Sequence, residues 1–91
     1  MKELVYSTQF KKDYRKYVNQ PKKLEALNDI FKLLENGQPI PADRKPHKLH
    51  GIYEGCMECH VGGDFLLIWF DETTNTVKLV RLGTHHELFG N

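Results

Sequence analysis

The spacing of apolar residues in the first part of the chain predicts a first helix. After a short β candidate at residues 4–6, apolar positions recur three or four residues apart, as the buried face of a helix requires. We predict this helix from Thr8 to Asn19, with Ser7 or Thr8 as the N-cap residue. Its predicted apolar face consists of Phe10, Tyr14, Tyr17 and Val18.

A second helix is predicted directly after the first. Pro21 suits the first turn of a helix, and Asn36-Gly37 provides a C-terminal stop. The apolar positions between them are Leu24, Leu27, Phe31 and Leu34. Together the two helices form a helical hairpin. Its basic residues fall between the apolar positions, and we expect them on the outer side or near the turn: Lys11, Lys12, Arg15, Lys16, Lys22 and Lys23.

The second half of the chain has the pattern of a β-sheet. The segment GQPIPADRKP carries three prolines and predicts a loop. Residues 52–61 mix apolar and polar types, residues 65–70 are a continuous apolar run typical of a central strand, and residues 76–82 alternate. The sequence DETTN between the last two predicts a hairpin loop. We therefore predict an α+β fold, in which an N-terminal strand and the helical hairpin pack on one face of a small antiparallel or mixed β-sheet of the later strands.

Length and composition narrow the class of protein. A chain of 91 residues forms one small domain, residues 1–91, with a core only marginally large enough to fold alone. The first residues lack the apolar stretch of a signal peptide, and the run at residues 65–70 is too short to span a bilayer. We therefore expect a cytoplasmic protein that does not enter a membrane and whose two cysteines remain free thiols.

The net charge of +1 conceals an asymmetry along the chain. Residues 1–50 contain 11 Lys and Arg against 6 Asp and Glu, whereas residues 51–91 contain 2 against 6. The two parts therefore carry net charges of +5 and −4. A basic first half is compatible with an anionic partner, although a solvated helix surface explains the same composition.

The stretch CMECH, residues 56–60, fits the C-x-x-C-H pattern that attaches c-type haem. In a strand, however, alternate side chains point to opposite faces, so Cys56, Glu58 and His60 share one face and Cys59 lies on the other. The thiols then diverge, which disfavours both haem and a zinc site built on the cysteines. The same alternation places Glu58 and His60 side by side as a titratable pair.

All five histidines lie in the second half of the chain, at or near the ends of predicted elements: His47, His50, His60, His85 and His86. With an ordinary pKa of about 6.5, histidine both gives and takes protons near neutral pH. Asp64 enters the central strand, and Arg81 lies near the end of the last strand. Histidines, a carboxylate and an arginine are the residue types that a phosphate transfer uses as acid, base and charge stabiliser.

Three segments together resemble the YafQ type of the RelE/ParE superfamily of bacterial toxins: HKLHG at residues 47–51, ECHVGGDFLLIW at residues 58–69, and RLGTHHELFG at residues 81–90. The resemblance covers nearly the whole chain, and the closing G-T-H-x-x-L-F-G pattern is its most specific part. It implies the toxin of a type II toxin–antitoxin system, a ribosome-dependent endoribonuclease that cuts translated mRNA in the A site. The active residues would be His47, His60, Asp64, Arg81, His85 and Phe89, with Glu58 at an acidic position.

The resemblance also implies a mechanism and partners. RNA supplies its own nucleophile, the 2′-hydroxyl, so no metal or other cofactor is required. His85 would be the general acid and Arg81 the charge stabiliser. The base would be His47, His60 or Asp64; we favour His47, oriented by the other two. Phe89 and Phe65 would stack on a base, and the basic hairpin, through Lys11, Lys12, Arg15 and Lys16, would dock on ribosomal RNA. A cognate antitoxin would neutralise the domain, and operator DNA would be bound only through that antitoxin.

Two alternatives belong to other functional classes. A ParE-like toxin of the same fold inhibits DNA gyrase by binding and does not require converging titratable residues. A metal-binding or regulatory module would use Cys56, Cys59 and the histidines.

Overall fold

The computed structural model describes residues 1–72 and 74–90 and contains a five-stranded mixed sheet. Its strands, in chain order, are β1 (Glu3–Tyr6), β2 (His47–Lys48), β3 (Met57–Gly62), β4 (Phe65–Asp71) and β5 (Thr76–Gly83). Their spatial order is β1-β5-β4-β3-β2. Strand β1 is parallel to β5, and the other neighbours are antiparallel. The predicted class of fold and the predicted central strand are confirmed; the predicted hairpin loop includes residue 73, which lies outside the described residues.

The two predicted helices form the helical hairpin, although the first is shorter than predicted. Helix α1 spans Thr8–Arg15, and the Ser7 side chain caps it by accepting a hydrogen bond from the Phe10 amide at 2.9 Å. The prediction that it reaches Asn19 is wrong, because residues after Arg15 form i to i−3 turns, such as the 2.9 Å bond from the Tyr17 amide to the Tyr14 carbonyl. Val18 is consequently 51% exposed rather than buried.

The main core lies between the hairpin and one face of the sheet. Helix α2 spans Pro21–Glu35, with Pro21 in its first turn, and buries Leu27, Ile30 and Leu34. These side chains pack with Phe10 of α1 and with apolar residues of β3, β4 and β5: Cys59, Val61, Phe65, Leu67, Trp69, Val77, Leu79 and Leu82. Burial of these apolar side chains is the main stabilising term for the packing of the hairpin on the sheet.

A third helix, α3, covers part of the opposite face of the sheet. It spans His85–Phe89 and buries Leu88 against Leu66 and Ile68 of β4. The sequence analysis did not predict this helix. A signal for it exists in the segment Thr84-x-x-Glu87, which forms a capping box, and in Gly90, which ends the helix in the left-handed conformation. Within the described residues no helix has the length and hydrophobicity needed to cross a bilayer.

Candidate active site

The sheet face opposite the hairpin collects most of the predicted site residues. Residues directly opposite each other in paired strands point to the same face. His60 lies opposite Leu66, whereas Glu58 and Arg81 both lie opposite Ile68. Leu66 and Ile68 belong to the smaller apolar cluster on this face, so the three polar side chains project from it as well. The prediction that Glu58 and His60 share a face is confirmed.

His85, the first residue of α3, is fixed by Asp64 in the turn between β3 and β4. Oδ1 of Asp64 accepts a hydrogen bond from the His85 backbone amide at 3.1 Å and lies 2.5 Å from Nδ1 of the imidazole. These hydrogen bonds, the backbone bond first, lower the pKa of Asp64. The carboxylate therefore stays ionised near neutral pH and orients the imidazole. Asp64 was predicted to orient the general base; in the structure it orients His85 instead, because α3 begins beside the β3–β4 turn.

His60, on β3, lies beside this pair. The imidazole rings of His60 and His85 are 5.8 Å apart between centroids. Nδ1 of His60 is 3.1 Å from the carbonyl oxygen of Gly63. A carbonyl oxygen only accepts hydrogen bonds, so Nδ1 carries a proton. When the ring is neutral, Nε2 therefore holds the lone pair.

His47, on β2, pairs with the buried carboxylate of Glu58. Nδ1 of His47 donates to the Lys45 carbonyl at 2.8 Å, and its Nε2 lies 3.3 Å from Oε1 of Glu58. Glu58 is only 2% exposed, and its Oε2 has no hydrogen-bond partner among the described residues. His47 was predicted to be oriented by His60 and Asp64. The carboxylate beside it is instead Glu58, because β2 and β3 pair in the register that places His47 opposite Glu58.

Arg81, on β5, is held by a residue that the sequence analysis missed. Asp13 of α1 is 1% exposed, and its carboxylate accepts hydrogen bonds from Nε of Arg81 at 2.8 Å, from Nη2 at 3.3 Å and from the Leu82 amide at 3.0 Å. The hydrogen bonds to Asp13 raise the pKa of Arg81. The sequence does contain a signal for Asp13. It lies three residues after Phe10 and four before Tyr17, so it is a charged residue on the apolar face of the predicted helix.

Tyr53 is a second residue that the sequence analysis missed. Its hydroxyl donates to the Leu88 carbonyl at 2.8 Å and accepts a hydrogen bond from Nη1 of Arg81 at 3.2 Å. The ring of Phe89 is half-buried and meets the Tyr53 ring edge to face, with centroids 5.5 Å apart, and the His85 ring at 6.1 Å. Phe89 therefore lies within the same group of side chains as His85 and Arg81.

Phe65 does not lie on this surface. It is 2% exposed, its ring centroid is 4.6 Å from that of Tyr17, and Nζ of Lys23 lies 5.1 Å from its centroid. The prediction that Phe65 stacks on a substrate base is therefore wrong for this structure. A continuous apolar run does not show which of its side chains face the helices, and Phe65 belongs to the main core.

The basic side chains of α1 and of its C-cap residue form an exposed surface outside the histidine group, made up of Lys11, Lys12, Arg15 and Lys16. Nζ of Lys16 lies 3.6 Å from Oε2 of Glu87 on α3. The C-terminal end of α1 is thus next to the helix that begins with His85. His50 and His86 are exposed, and His50 lies 3.6 Å from Glu54.

Helix α3 is also anchored to the hairpin through Tyr17. The Tyr17 hydroxyl donates a 2.6 Å hydrogen bond to Oε1 of Glu87, which also accepts from the Thr84 amide at 2.9 Å. Burial and then this hydrogen bond raise the pKa of Tyr17, and the hydrogen bond from Tyr17 lowers the pKa of Glu87. The contact crosses one end of the sheet and fixes the position of His85.

The two cysteines lie on opposite faces of the sheet. Cys59 is buried in the main core, and Cys56 packs against the smaller cluster with Leu66 and Ile68. Burial raises the pKa of the Cys59 thiol to about 12. The predicted divergence of the thiols is confirmed, and the two sulfurs cannot ligate one metal ion.

Comparisons with known proteins agree on one family. Residues 2–90 match the model of a family described as YafQ, the bacterial toxin of a type II toxin–antitoxin system. The chain is 34% identical over 90 residues to the mRNA interferase toxin YafQ of Escherichia coli strain K12, covering 98% of this chain and 97% of that protein.

Solved structures agree with the family match. A metal-bound toxin from Helicobacter pylori has a TM-score of 0.87 and 36% identity, covering 98% of this chain and all of that one. The E. coli DinJ–YafQ complex has a TM-score of 0.83 and 34% identity, covering 99% of this chain and all of the matched chain. The resemblance inferred from the sequence is confirmed: the chain belongs to the YafQ family of toxins of bacterial type II toxin–antitoxin systems.

Proposed function

We propose that this chain is an mRNA interferase, an endoribonuclease that cleaves translated mRNA in the ribosomal A site. The observation that carries the proposal is the Asp64–His85 pair, with the second imidazole of His60 beside it on an open surface. Two imidazoles at this separation are suited to act on one phosphodiester as acid and base. The activity of the E. coli relative, an mRNA interferase, supports the same conclusion.

The chemistry follows from the 2′-hydroxyl of RNA, which attacks the adjacent phosphorus once it is deprotonated. His85 is the general acid, because the ionised Asp64 stabilises the imidazolium that delivers a proton to the departing 5′ oxygen. For the base we now favour His60 over His47. The neutral His60 ring presents a lone pair on Nε2, whereas Nε2 of His47 faces the carboxylate of Glu58.

Arg81 stabilises the charge that develops on the phosphoryl oxygens. Its contacts with Asp13 and Tyr53 hold the guanidinium in place, and its side chain is 20% exposed, which leaves part of it accessible to a phosphate. Phe89, between Tyr53 and His85, stacks on a base next to the scissile bond, and such stacking contributes about 1–3 kcal/mol. The products are a 2′,3′-cyclic phosphate, or the 3′-phosphate derived from it, and a 5′-hydroxyl.

The ribosome positions the message for this small open site. Positioning alone contributes as much as about 7–11 kcal/mol to catalysis, so free RNA is a poor substrate. The basic surface of α1 and its C-cap residue contacts ribosomal RNA through Lys11, Lys12, Arg15 and Lys16. This activity belongs to the cytoplasm, where translation takes place, and the whole chain of residues 1–91 acts as one domain.

A cognate antitoxin is the expected protein partner, as DinJ is for the E. coli relative. An antitoxin segment that folds on binding neutralises the domain, and its acidic residues meet the basic hairpin. Operator DNA is contacted only through the antitoxin.

The proposal is tested by inducing the protein without an antitoxin and mapping the 5′ ends of a translated reporter mRNA by primer extension. We expect new in-frame cuts with the wild type and with His86→Ala, the matched control on the same helix, and no cuts with His85→Ala. A reporter that lacks a start codon should remain intact.

Growth arrest without cuts, equal in the wild type and His85→Ala, would contradict the nuclease and indicate a ParE-like inhibitor of gyrase. A ribosome-bound substrate with a 2′-deoxy residue at the cleavage position tests the chemistry separately. We expect it to resist cleavage, and efficient cutting would exclude attack by the 2′-hydroxyl.

A further inference from the structure

Tyr53 joins two parts of the candidate active site that belong to different elements. Its hydroxyl donates to the Leu88 carbonyl at 2.8 Å, and Nη1 of Arg81 lies 3.2 Å from the same oxygen. A guanidinium only donates hydrogen bonds, so the single hydroxyl proton goes to Leu88 and a lone pair accepts from Arg81. One oxygen atom therefore connects the cation of β5 to the C-terminal end of α3.

The hydrogen bond to Leu88 holds the end of α3 that carries Phe89. The last carbonyls of a helix have no partner within the helix, and Tyr53 donates to the carbonyl directly before Phe89. The rings of Tyr53 and Phe89 also meet edge to face, with centroids 5.5 Å apart. Asp64 and Tyr17 attach the same helix through its earlier residues. The position of the Phe89 ring therefore depends on Tyr53.

The same hydroxyl orients the guanidinium of Arg81 and leaves it able to bind a phosphate. Of the five N–H groups of a guanidinium, two donate to Asp13 and one donates to Tyr53 among the described residues, so two remain for phosphate oxygens. Asp13 holds Nε and Nη2, whereas Tyr53 holds the other nitrogen, Nη1. Removal of the hydroxyl would leave the guanidinium held from one side.

The segment that carries Tyr53 is a compact turn between β2 and β3. Gly51–Tyr53 is a 3₁₀ helix, the Leu49 amide donates to the Cys56 carbonyl at 2.8 Å, and the Cys56 amide donates to the Tyr53 carbonyl at 2.9 Å. Gly51 and Gly55 have φ angles of 75° and 87°, in the left-handed region that favours glycine. The Tyr53 ring packs against the smaller apolar cluster. The turn and this packing therefore fix where the hydroxyl lies.

We propose that Tyr53 is a positioning residue of the nuclease, which keeps Arg81 and Phe89 at one fixed spacing. Arg81 faces the scissile phosphate and Phe89 stacks on a base beside it, so their spacing has to match that between a phosphate and a neighbouring base. Tyr53 acts through these two residues and not on the substrate itself. The inference rests on the proposed function, because the two roles that Tyr53 links belong to that function.

Tyr53→Phe removes the hydroxyl and keeps the ring against Phe89. In steady-state cleavage of ribosome-bound mRNA we expect kcat to fall about tenfold, because the guanidinium is misplaced. We also expect KM to rise, because the end of α3 is less firmly held. Tyr6→Phe, which removes a hydroxyl from an exposed side chain of β1, is the matched control and should cleave as the wild type does.

Double-mutant cycles separate positioning from support of the fold. In an Arg81→Ala background Tyr53→Phe should lower kcat no further, and in a Phe89→Ala background it should raise KM no further. Ile30→Val, which removes a methylene from the main core, controls for lost stability. Additive losses in both cycles would overturn the proposal, as would an equal loss of cleavage in Ile30→Val or an unchanged kcat in Tyr53→Phe.

Nitrogen NMR of the Arg81 side chain tests the positioning without any cleavage. Rotation about the bond from Cζ to Nη1 should be slow in the wild type, where Nη1 has a partner, and faster in Tyr53→Phe. The exposed Arg15 is the internal reference. Unchanged rotation in Tyr53→Phe would overturn the positioning of Arg81. Absence of cleavage by the wild type would count against the proposed nuclease, whereas the NMR measurement still decides whether Tyr53 holds Arg81.

Discussion

Each of three cationic or titratable groups of the candidate active site has its own carboxylate: His85 has Asp64, His47 has Glu58, and Arg81 has Asp13. The three pairs differ in burial. Asp64 is exposed, whereas Asp13 and Glu58 are almost completely buried. A buried carboxylate has little freedom to move, so Asp13 constrains Arg81 more firmly than a surface ion pair does. Asp13 also accepts a hydrogen bond from the Leu82 amide, which attaches the Asp13–Arg81 pair to the backbone of β5.

Asp13→Asn tests whether this pair positions Arg81 for catalysis. The amide keeps the shape of the side chain but removes the charge, so we expect a loss of about 1–3 kcal/mol in the free energy of unfolding. We also expect cleavage to fall about tenfold or more through misplacement of the guanidinium. The measurements are urea denaturation and the rate of cleavage of ribosome-bound mRNA.

A double-mutant cycle with Arg81→Ala separates positioning from a merely structural role. If Asp13 acts through Arg81, adding Asp13→Asn to Arg81→Ala causes no further loss of cleavage. Additive losses of activity would show that Asp13 only supports the fold. Gln9→Ala is a suitable control, since Gln9 donates to Asp13 at 3.0 Å, whereas the side-chain hydrogen bonds of Arg81 among the described residues go to Asp13 and Tyr53.

At the scale of elements, the position of His85 depends on the short helix α3. Five residues are too few for a helix to be stable by itself in water. The capping box at Thr84, the burial of Leu88 and the hydrogen bond from Tyr17 to Glu87 compensate for this short length. The hairpin and the sheet therefore hold the helix in place, and with it the candidate general acid.

Tyr17→Phe should weaken this attachment, with a loss of about 1–2 kcal/mol in the free energy of unfolding at pH 7. The pKa of Glu87 is lowered in the folded protein from its ordinary value of 4.5. The contribution of the ionised Glu87 to the free energy of unfolding is therefore fully present above pH 4.5, and it is lost as the pH falls through the lowered pKa. The pKa of Tyr17 is raised from its ordinary value of 10.0. The contribution of the protonated Tyr17 hydroxyl to the free energy of unfolding is therefore fully present below pH 10, and it is lost as the pH rises from 10 towards the raised pKa. The difference between the wild type and Tyr17→Phe is thus greatest between these limits.

Chemical denaturation of both proteins from pH 3 to pH 11 measures that difference. Tyr14→Phe, three residues earlier in the last turns of α1, is the matched control and should show no such profile. A difference that is constant across the range would mean that the Tyr17 hydroxyl and Glu87 are not coupled.

In the whole molecule, the difference in net charge between the two halves of the sequence corresponds to two separate regions of the folded protein. The basic residues of α1 lie on the outer side of the hairpin, and the histidine group lies on the opposite face of the sheet. The contact between Lys16 and Glu87 joins the two regions at one end of the sheet. An RNA strand that reaches His85 therefore passes close to a basic surface, although the net charge is only +1.

Replacing Lys11 and Lys12 by Gln should weaken the association with ribosomes and make it less dependent on salt. Each phosphate contact that is lost reduces the slope of log affinity against log salt concentration by roughly 0.7–0.9. Co-sedimentation with ribosomes over a range of KCl concentrations measures the slope. Lys32→Gln, an exposed change in the last turn of α2, should leave it unaltered; an equal effect would indicate that only net charge matters.

The order of elements follows from the sequence alone, because local periodicity encodes it. Apolar spacing of three or four residues predicts the hairpin, and the run at residues 65–70 predicts the central strand β4. Helix α3 had a local signal too, the Thr84 capping box, which the sequence analysis missed. The end of α1 is harder to predict, because the turns after Arg15 keep almost the same spacing of side chains as a helix.

The pairing of the site residues was decided only by the tertiary structure. Asp64 and His85 are 21 residues apart in the sequence, and Asp13 and Arg81 are 68 apart. Which carboxylate meets which cation depends on the register of β3 with β2 and β4 and on where α1 and α3 dock. The burial of Phe65 was also decided by the tertiary structure. Strand alternation predicts that side chains point to two faces of the sheet, but only the packing of the hairpin determines which face is covered. Periodicity is a local property of the chain, whereas these contacts join segments that meet only after folding.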